Sequence, residues 1–167
     1  MRAYLGLLLF FLPLLTQAKV PIRMASDPAL SPDGKQIAFF WRGDVWVAPV
    51  EGGGARQLTR HPAIDRQPAW SPDGKHIAFV SEREGGQQVW VMPAWGGAPR
   101  KTTLHTEGFI LEEWMPDGKS LLTSITRDHF WRRGERFSII QADGKQKAEQ
   151  VLFDDYGQYP SVSPDGK

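Results

Sequence analysis

The chain has 167 residues, enough for one ordinary domain, and its 20 Lys and Arg residues stand against 19 acidic ones. This balance excludes a general electrostatic attraction to nucleic acid or anionic lipid. The sequence has no Cys, which excludes disulfides, thiol catalysis, Cys-bound metals and lipid attachment through an N-terminal Cys. Its 17 Gly, 13 Pro and 7 Trp residues favour a turn-rich, all-β protein.

The first segment, MRAYLGLLLFFLPLLTQA, has the pattern of a secretory signal peptide. It contains one cation, an apolar run from Tyr4 to Leu15, and small or polar residues before Lys19. The run is shorter than the roughly 20 apolar residues that cross a bilayer. We therefore predict a signal peptide over residues 1–18 and an exported chain, periplasmic or extracellular, without a stable membrane anchor.

A five-residue phrase, SPDGK, begins at Ser31, Ser71 and Ser163, and PDGK occurs once more after Met115. Aligning these turns gives repeats of 40, 44 and 48 residues, a period typical of solenoids and propellers. Two apolar runs follow each of the first three turns, for example QIAFF and DVWVAPV, and a Gly-bearing turn and a short run such as ARQLT come next. Four strands per repeat predict the blades of a β-propeller.

The repeat predicts an all-β propeller between residues 19 and 167, with three complete four-stranded blades at about 27–59, 67–103 and 111–152. A fourth blade begins at about 158. Propellers typically need 4 to 8 blades to close, so the predicted arc is incomplete and we interpret the chain as truncated.

Length varies at one place in the repeat, between the second and third strands. The separations there are 6, 10 and 14 residues, for Phe39 to Val45, Phe79 to Val89, and Thr123 to Phe137. We predict that these variable loops lie on the same face as the crossings between blades, opposite the Ser-Pro-Asp-Gly turns. Loops that vary on a rigid scaffold are where specificity is expected.

The Asp residues of the turns have a structural explanation. Pro presets φ, Asp bonds the turn backbone and Gly accepts a positive φ, so hairpin closure accounts for the phrase. Asp33, Asp73, Asp117 and Asp165 are therefore predicted to be structural, because only Pro, Gly and Lys surround them. In the third repeat Met115 replaces the turn Ser.

Other candidate motifs are weak. The GKS at Gly118 lacks the first Gly of a phosphate loop, and the sequence has no G-x-S-x-G and no H-E-x-x-H. His61 and His105 occupy equivalent positions in successive crossings, where a structural role is favoured, and Arg42-Gly43-Asp44 fills the shortest hairpin. We predict no catalytic site, no cofactor and no metal in this chain.

The segment RDHFWRRGER, from Arg127 to Arg136, interleaves basic and aromatic residues in the longest variable loop. Such a mixture can stack bases, hold anionic groups or grip a peptide. The alternatives are a solvated hairpin or a loop that docks on another domain. The candidate contact residues are Arg127, His129, Phe130, Trp131, Arg132, Arg133 and Arg136.

The pattern P-x-W-S-P-D-G-K-x-I-A-F resembles the WD40-like (PD40) propeller repeat of TolB and of peptidases with N-terminal propellers. The stretches GDVWVAPVEGGGARQLTRHPAIDRQPAWSPDGKHIAFVSER and VWVMPAWGGAPRKTTLH are most similar to the N-terminal propeller of tricorn-like peptidases, assigned to the S41 family of serine peptidases. The resemblance implies a large enzyme whose propeller filters or guides peptides while later domains hydrolyse them. TolB itself carries an α/β domain before its propeller, which the short distance between Lys19 and the first blade disfavours here.

The partners that this resemblance implies are peptides or proteins and further C-terminal domains of the same chain, with no role for nucleic acid. Two other classes stay open. One is a hydrolase similar to prolyl oligopeptidase, which a downstream G-x-S-x-G would select. The other is an exported, non-enzymatic propeller that binds proteins, as TolB does.

Overall fold

The computed structural model describes residues 20–105, 108–125, 136–145, 148–154, 157 and 159–166. These residues form twelve strands and no helix. The strands are β1 Ser26–Leu30, β2 Gln36–Trp41, β3 Asp44–Pro49, β4 Arg56–Gln57, β5 Asp65–Trp70, β6 His76–Ser81, β7 Gln88–Pro93, β8 Arg100–Lys101, β9 Ile110–Trp114, β10 Ser120–Ile125, β11 Arg136–Gln141 and β12 Gln150–Asp154.

The strands pair in chain order into three antiparallel sheets, β1–β4, β5–β8 and β9–β12, which we call sheets 1, 2 and 3. Each sheet is one blade with its first strand at one edge and its fourth at the other. The predicted all-β class and the unclosed arc of four-stranded propeller blades are confirmed.

The hairpin turns follow from local chemistry. Arg42 and Gly43 connect β2 to β3 in two residues, with φ of 52° and 91°, as a turn of type I′ requires.

Each first strand contains a bulge, and Asp27 and Gln67 in β1 and β5 have a positive φ just before a Pro. Pro fits there because these strands pair on one side only.

The core lies between the sheets. Ala38, Val45 and Val47 of sheet 1 pack against Ile77, Phe79, Trp90 and Met92 of sheet 2. A second cluster joins Ala78, Val80, Val89 and Val91 of sheet 2 to Leu111, Trp114, Leu121 and Ile140 of sheet 3. Strands covered on both faces explain why β6 and β7 are continuously apolar in the sequence.

Two Trp residues connect neighbouring sheets by hydrogen bonds. The indole Nε1 of Trp70 donates to the Ala29 carbonyl oxygen at 3.1 Å, and that of Trp114 donates to the Ala69 carbonyl oxygen at 3.0 Å. Both occupy the position before the Ser-Pro-Asp-Gly turn or its variant. The repeated Trp therefore sets the position of one innermost strand against the previous one.

The prediction that length varies only between the second and third strands was incomplete. The segment between the third and fourth strands covers residues 50–55 in sheet 1 and 94–99 in sheet 2, but 142–149 in sheet 3. The two additional residues precede β12, and a bulge between Phe137 and Ser138 shifts its pairing. The crossing from β12 to Val162 is shorter by the same two residues. The separation between Phe137 and Val162 therefore equals that in the earlier repeats, which concealed the change.

Candidate functional site

The Ser-Pro-Asp-Gly turns and their variant keep one length in the three sheets and lie on one face of the arc, which we call the constant face after them. In the first turn, Ser31 Oγ donates to Asp33 Oδ1 at 2.6 Å, and the Lys35 backbone N–H donates to the same oxygen at 3.1 Å. Ser71, Asp73 and Lys75 repeat this arrangement at 2.7 and 3.0 Å. The carboxylates serve the turn, which agrees with their predicted structural role.

The third turn uses a different donor. Met115 cannot supply a hydroxyl, and Ser120 Oγ instead donates to Asp117 Oδ2 at 2.8 Å. The backbone N–H groups of Lys119 and Ser120 both donate to Asp117 Oδ1 at 2.8 Å. A Ser on the far side of the turn thus replaces the one that the third repeat lacks.

These hydrogen bonds change the acidity of the turn carboxylates. The Ser31 hydroxyl, followed by the Lys35 N–H, lowers the pKa of Asp33, and the Ser71 hydroxyl followed by the Lys75 N–H lowers that of Asp73. For Asp117, burial raises the pKa, but the bonds from Lys119 and Ser120 outweigh it and the net shift is downward. Within the described parts of the chain, no three His, Asp or Glu side chains are grouped so that they could hold a metal ion.

The opposite face carries the variable loops together with the crossings between sheets. The Asp65 N–H donates to the Gly43 carbonyl oxygen at 2.8 Å, which joins the first crossing to the β2–β3 turn. The Phe109 N–H likewise donates to the Gln87 carbonyl oxygen at 2.7 Å. Variable loops and crossings therefore lie on one face, as predicted, and we call it the variable face.

A buried ion pair holds the β6–β7 loop on the variable face. Arg83 Nη2 lies 2.6 Å from Oδ2 of Asp65, whose side chain is fully buried. The guanidinium also stacks on Phe79 and Trp90, with its Cζ 5.2 and 4.9 Å from the ring centroids. Because an uncompensated buried charge is expensive, this pair restrains the loop against the sheet 1–sheet 2 boundary.

A cavity of about 410 Å³ opens beside this loop. The Lys101 ammonium lies 3.4 Å from Glu84 Oε2 in its wall, and Leu104 projects an exposed apolar side chain next to it. The cavity is lined by Glu84, Gly85, Gln88, Lys101, Leu104 and His105. The cavity offers a ligand the apolar side chain of Leu104 beside the Lys101–Glu84 ion pair. Sequence patterns had not indicated this cavity, because its residues come from two segments of the chain.

Both crossing His residues form local hydrogen bonds, His61 through its imidazole and His105 through its backbone. His61 Nδ1 accepts a hydrogen bond from the Ala63 N–H at 3.1 Å. The His105 N–H donates to Gln88 Oε1 at 3.3 Å, and Gln88 Nε2 donates to the His105 carbonyl oxygen. Asp44 of the Arg-Gly-Asp tripeptide accepts from Gln57 Nε2 at 2.8 Å and Thr59 Oγ1 at 3.2 Å, so both carboxylate oxygens are bound within the sheet.

The predicted contact loop falls mostly outside the described residues. Arg127, His129, Phe130, Trp131, Arg132 and Arg133 lie in the segment 126–135, which the structure does not describe. Arg136 is described: it begins β11 and pairs with Asp154 of β12. The contact role of this loop stays a prediction.

Sequence reasoning also missed a second set of links between sheets. Arg56 donates through Nη1 to the Trp95 carbonyl oxygen at 2.9 Å and through Nη2 to that of Ala94 at 3.2 Å. Arg100 Nη2 donates to the Ala142 carbonyl oxygen at 2.9 Å. The two Arg residues occupy equivalent repeat positions, so the sequence marks them as a recurring pair without indicating which atoms they bind.

Comparison with known proteins identifies the family. Residues 22–167 match the family described as the tricorn protease N-terminal β-propeller domain. The chain belongs to this family. No curated protein matches it by sequence. Among the described residues, none forms a helix of the length and apolarity that crossing a membrane requires.

Solved structures place the tricorn-type propeller segment among known propellers. A structure described as TolB from Agrobacterium tumefaciens superposes with a TM-score of 0.71 at 26% identity, covering 86% of this chain and 51% of that one. TolB from Acinetobacter baumannii gives 0.70 at 20% identity, covering 86% and 36%. The propeller domain of the Trilobed protease from Pyrococcus furiosus gives 0.56 at 20% identity, covering 78% and 43%. The segment thus spans about half of the Agrobacterium tumefaciens structure and less than half of each of the other two.

Proposed function

We propose that this tricorn-type segment is the substrate-access and docking module of an exported serine peptidase, in which domains outside these residues perform hydrolysis. The observation that carries the proposal is the family match over residues 22–167. The repeated polar residues support a non-catalytic role, because the turn Asp side chains and the His61 imidazole take part in local hydrogen bonds.

The docking role is assigned to the variable face. Its loops differ in length between otherwise similar sheets, and the cavity beside Leu104 and the Glu84–Lys101 pair opens there. Peptides or proteins are the proposed ligands, and the 127–136 loop, with Trp131 among its aromatic residues, is the proposed contact element. Export rests on the signal peptide predicted over residues 1–18, with cleavage before Lys19 and release into the periplasm or outside the cell.

A TolB-like propeller that binds proteins without hydrolysis is the second candidate. The superposition at a TM-score of 0.71 and 26% identity favours it. The two candidates differ in what the complete gene product contains, because only the peptidase carries a hydrolytic domain. A G-x-S-x-G in that product would instead select the hydrolase that is similar to prolyl oligopeptidase.

The test compares this chain with the complete gene product on unstructured peptides. We expect no cleavage by the chain, and cleavage by the complete product that a serine-directed reagent abolishes. Cleavage by the chain alone would refute the non-catalytic role. A complete product that is inert and has no peptidase domain would select the binding propeller.

The docking role needs a separate measurement in the complete product. Trp131→Ala is expected to raise KM for long peptides several-fold without changing kcat, because the lost contact lies away from the reacting bond. Trp95→Ala is the matched control, since Trp95 is 68% exposed on a β7–β8 turn of the constant face. Equal effects of the two substitutions would contradict the assignment to the variable face.

A further inference from the structure

A cavity of about 240 Å³ opens on the constant face, between sheets 2 and 3. Gly118 of the β9–β10 turn and Asp143 of the β11–β12 turn are among its lining residues, which places it at this end of the arc. Val91 and Trp114, two members of the core between these sheets, contribute apolar surface to its wall. The proposed docking surface lies on the opposite face, so this cavity has no part in it.

Three basic side chains line the same cavity, those of His76, Arg100 and Lys119. Arg100 begins β8, and its Nη2 donates to the Ala142 carbonyl oxygen at 2.9 Å, which holds the guanidinium at the cavity wall. The other N–H groups of this guanidinium have no partner among the described residues. A guanidinium held through one Nη presents its remaining donors to an oxyanion.

The equivalent Arg at the boundary between sheets 1 and 2 is bound differently. Arg56 donates through both Nη groups, to the carbonyl oxygens of Ala94 and Trp95. Arg56 therefore links two sheets with its whole fork, whereas Arg100 makes the same kind of link and keeps donors that a ligand can use.

The carboxylates around the cavity are offset within their own turns. The Lys145 ammonium lies 3.5 Å from Asp143 Oδ2, and the Lys119 N–H donates to Asp117 Oδ1 at 2.8 Å. Each of these Asp-Gly-Lys turns carries one acidic and one basic side chain. Arg100 forms no ion pair with a described residue, so it adds a net positive charge at the cavity.

A cation and apolar surface within one small cavity indicate the chemistry of the ligand. Pockets for drug-sized ligands have volumes of about 300–1,000 Å³, so this smaller cavity suits a group of about one amino-acid residue. A carboxylate bound to Arg100 must then lie directly beside the group that contacts Val91 and Trp114. The C-terminal residue of a peptide meets this requirement, whereas an internal Asp or Glu carries its charge at the tip of the side chain.

We infer that this cavity binds the C-terminal residue of a polypeptide whose last side chain is apolar. Arg100 donates charge-assisted hydrogen bonds to the terminal carboxylate, and Lys119 adds to the positive potential. Val91 and Trp114 contact the last side chain. The inference is separate from the proposed peptidase function, because it concerns the constant face and requires no hydrolysis.

The test measures the binding of synthetic peptides to the whole chain, immobilised at low density, by surface plasmon resonance. Acetyl-SGSGVL with a free C-terminus is expected to bind saturably, and more weakly as salt is raised. The same peptide with a C-terminal amide should bind at least about tenfold more weakly, because the hydrogen bonds to a charged carboxylate are lost. Acetyl-SGSGVS, with a free C-terminus, should bind about fivefold more weakly, because its last residue buries less apolar surface.

Protein variants localise the site. Arg100→Gln is expected to weaken the binding of acetyl-SGSGVL about tenfold. Arg56→Gln is the matched control, because it removes the equivalent link between sheets 1 and 2 and should leave binding unchanged.

A second pair of variants leaves the links between sheets intact. Lys119→Gln removes an exposed charge beside the cavity and should weaken binding about threefold. Lys75→Gln, at the equivalent position of the previous Asp-Gly-Lys turn, should leave binding unchanged. Urea midpoints verify that all four variants are folded.

Four results would overturn the inference: no binding of acetyl-SGSGVL at millimolar concentration, equal binding of the amide, equal loss in Arg100→Gln and Arg56→Gln, or equal loss in Lys119→Gln and Lys75→Gln. If inorganic phosphate displaces the peptide as effectively as acetyl-leucine does, the cavity takes any small anion and the inference is wrong.

Discussion

Single residues connect the sheets of this propeller arc through contacts that recur with the repeat. Trp70 and Trp114 each donate an indole hydrogen bond to the innermost strand of the previous sheet. Where the fourth repeat has Val162 instead of Trp, the Val162 N–H donates to the Glu113 carboxylate. The link between neighbouring innermost strands is kept while its donor and acceptor change.

We expect Trp70→Phe to destabilise the chain by about 1–2 kcal/mol, because the ring keeps most of its packing while the Ala29 carbonyl loses its donor. Urea unfolding followed by circular dichroism measures the change. Trp95→Phe is the control and should shift the midpoint little, since Trp95 is largely exposed. Equal shifts for the two variants would show that the indole bond contributes nothing.

The turn carboxylates make the free energy of unfolding depend on pH in the acid range. The Ser hydroxyls and Lys N–H groups lower the pKa of Asp33 and Asp73 below the ordinary value of 3.8. The folded state then binds fewer protons than the unfolded state, so this stabilisation is present above about pH 4 and is lost as pH falls through the folded pKa.

Asp33 and Asp73 should therefore leave the urea midpoint nearly unchanged between pH 5 and 8. Their protonation should lower the midpoint as the pH falls from 4 to 2. Ser71→Ala removes the main cause of the Asp73 shift, and its midpoint should fall less over the acid range. An identical acid dependence in the variant and the unaltered chain would contradict this explanation.

A glycine turn of sheet 3 lies close against the backbone of sheet 2. Gly144 has a φ of +68°, and a Cβ there would lie 2.7 Å from the Lys101 carbonyl oxygen of sheet 2. Gly118 stands in the same Asp-Gly-Lys context with a φ of +63°, but a Cβ there would meet nothing within 4 Å. Comparing substitutions at Gly118 and Gly144 therefore separates the free-energy cost of backbone strain from the cost of a clash between two sheets.

Gly118→Ala is expected to cost about 1–2 kcal/mol through its left-handed backbone alone. Gly144→Ala should cost that amount and about 1–3 kcal/mol more, because the turn must move away from β8. Unfolding free energies of the two variants under the same conditions measure the difference. Equal costs would mean that the turn can retreat from sheet 2 without loss.

At the scale of the whole molecule, one face of sheet 1, which we call the open face, has no neighbouring sheet among the residues that the structure describes. Ile37, Trp46 and Ala48 are partly exposed there, although their counterparts Ile77, Trp90 and Met92 in sheet 2 are buried. Leu30 occupies the position of Trp70 and is likewise exposed. Apolar sheet faces without a neighbour favour association between molecules.

We expect the isolated chain to self-associate or to be partly unfolded, with a sedimentation coefficient that rises with concentration. Leu30→Lys should weaken the association, because it places a charge on the open face. Leu104→Lys is the matched control, since Leu104 is exposed on the variable face. A monodisperse monomer with a sharp, cooperative melt would contradict the expectation.

The blades could be predicted from the sequence because each is built from local contacts. The Ser-Pro-Asp-Gly turns, the two apolar runs and the Gly-bearing turn recur at a fixed spacing, and antiparallel neighbours joined by short turns need no other information. The same up-and-down order of strands predicted which face carries the variable loops. The resemblance to tricorn-like propellers, which rests on those phrases, named the family correctly.

The contacts between blades needed the tertiary structure. Arg56 of sheet 1 reaches the Ala94 and Trp95 carbonyl oxygens of sheet 2, and Arg100 of sheet 2 reaches the Ala142 carbonyl oxygen of sheet 3. The bulge where β12 pairs with β11 likewise depends on how sheet 3 pairs. A periodic sequence specifies which strands are neighbours within a sheet. The twist and separation of two packed sheets decide which polar atoms meet across them, and no spacing along one chain encodes that distance.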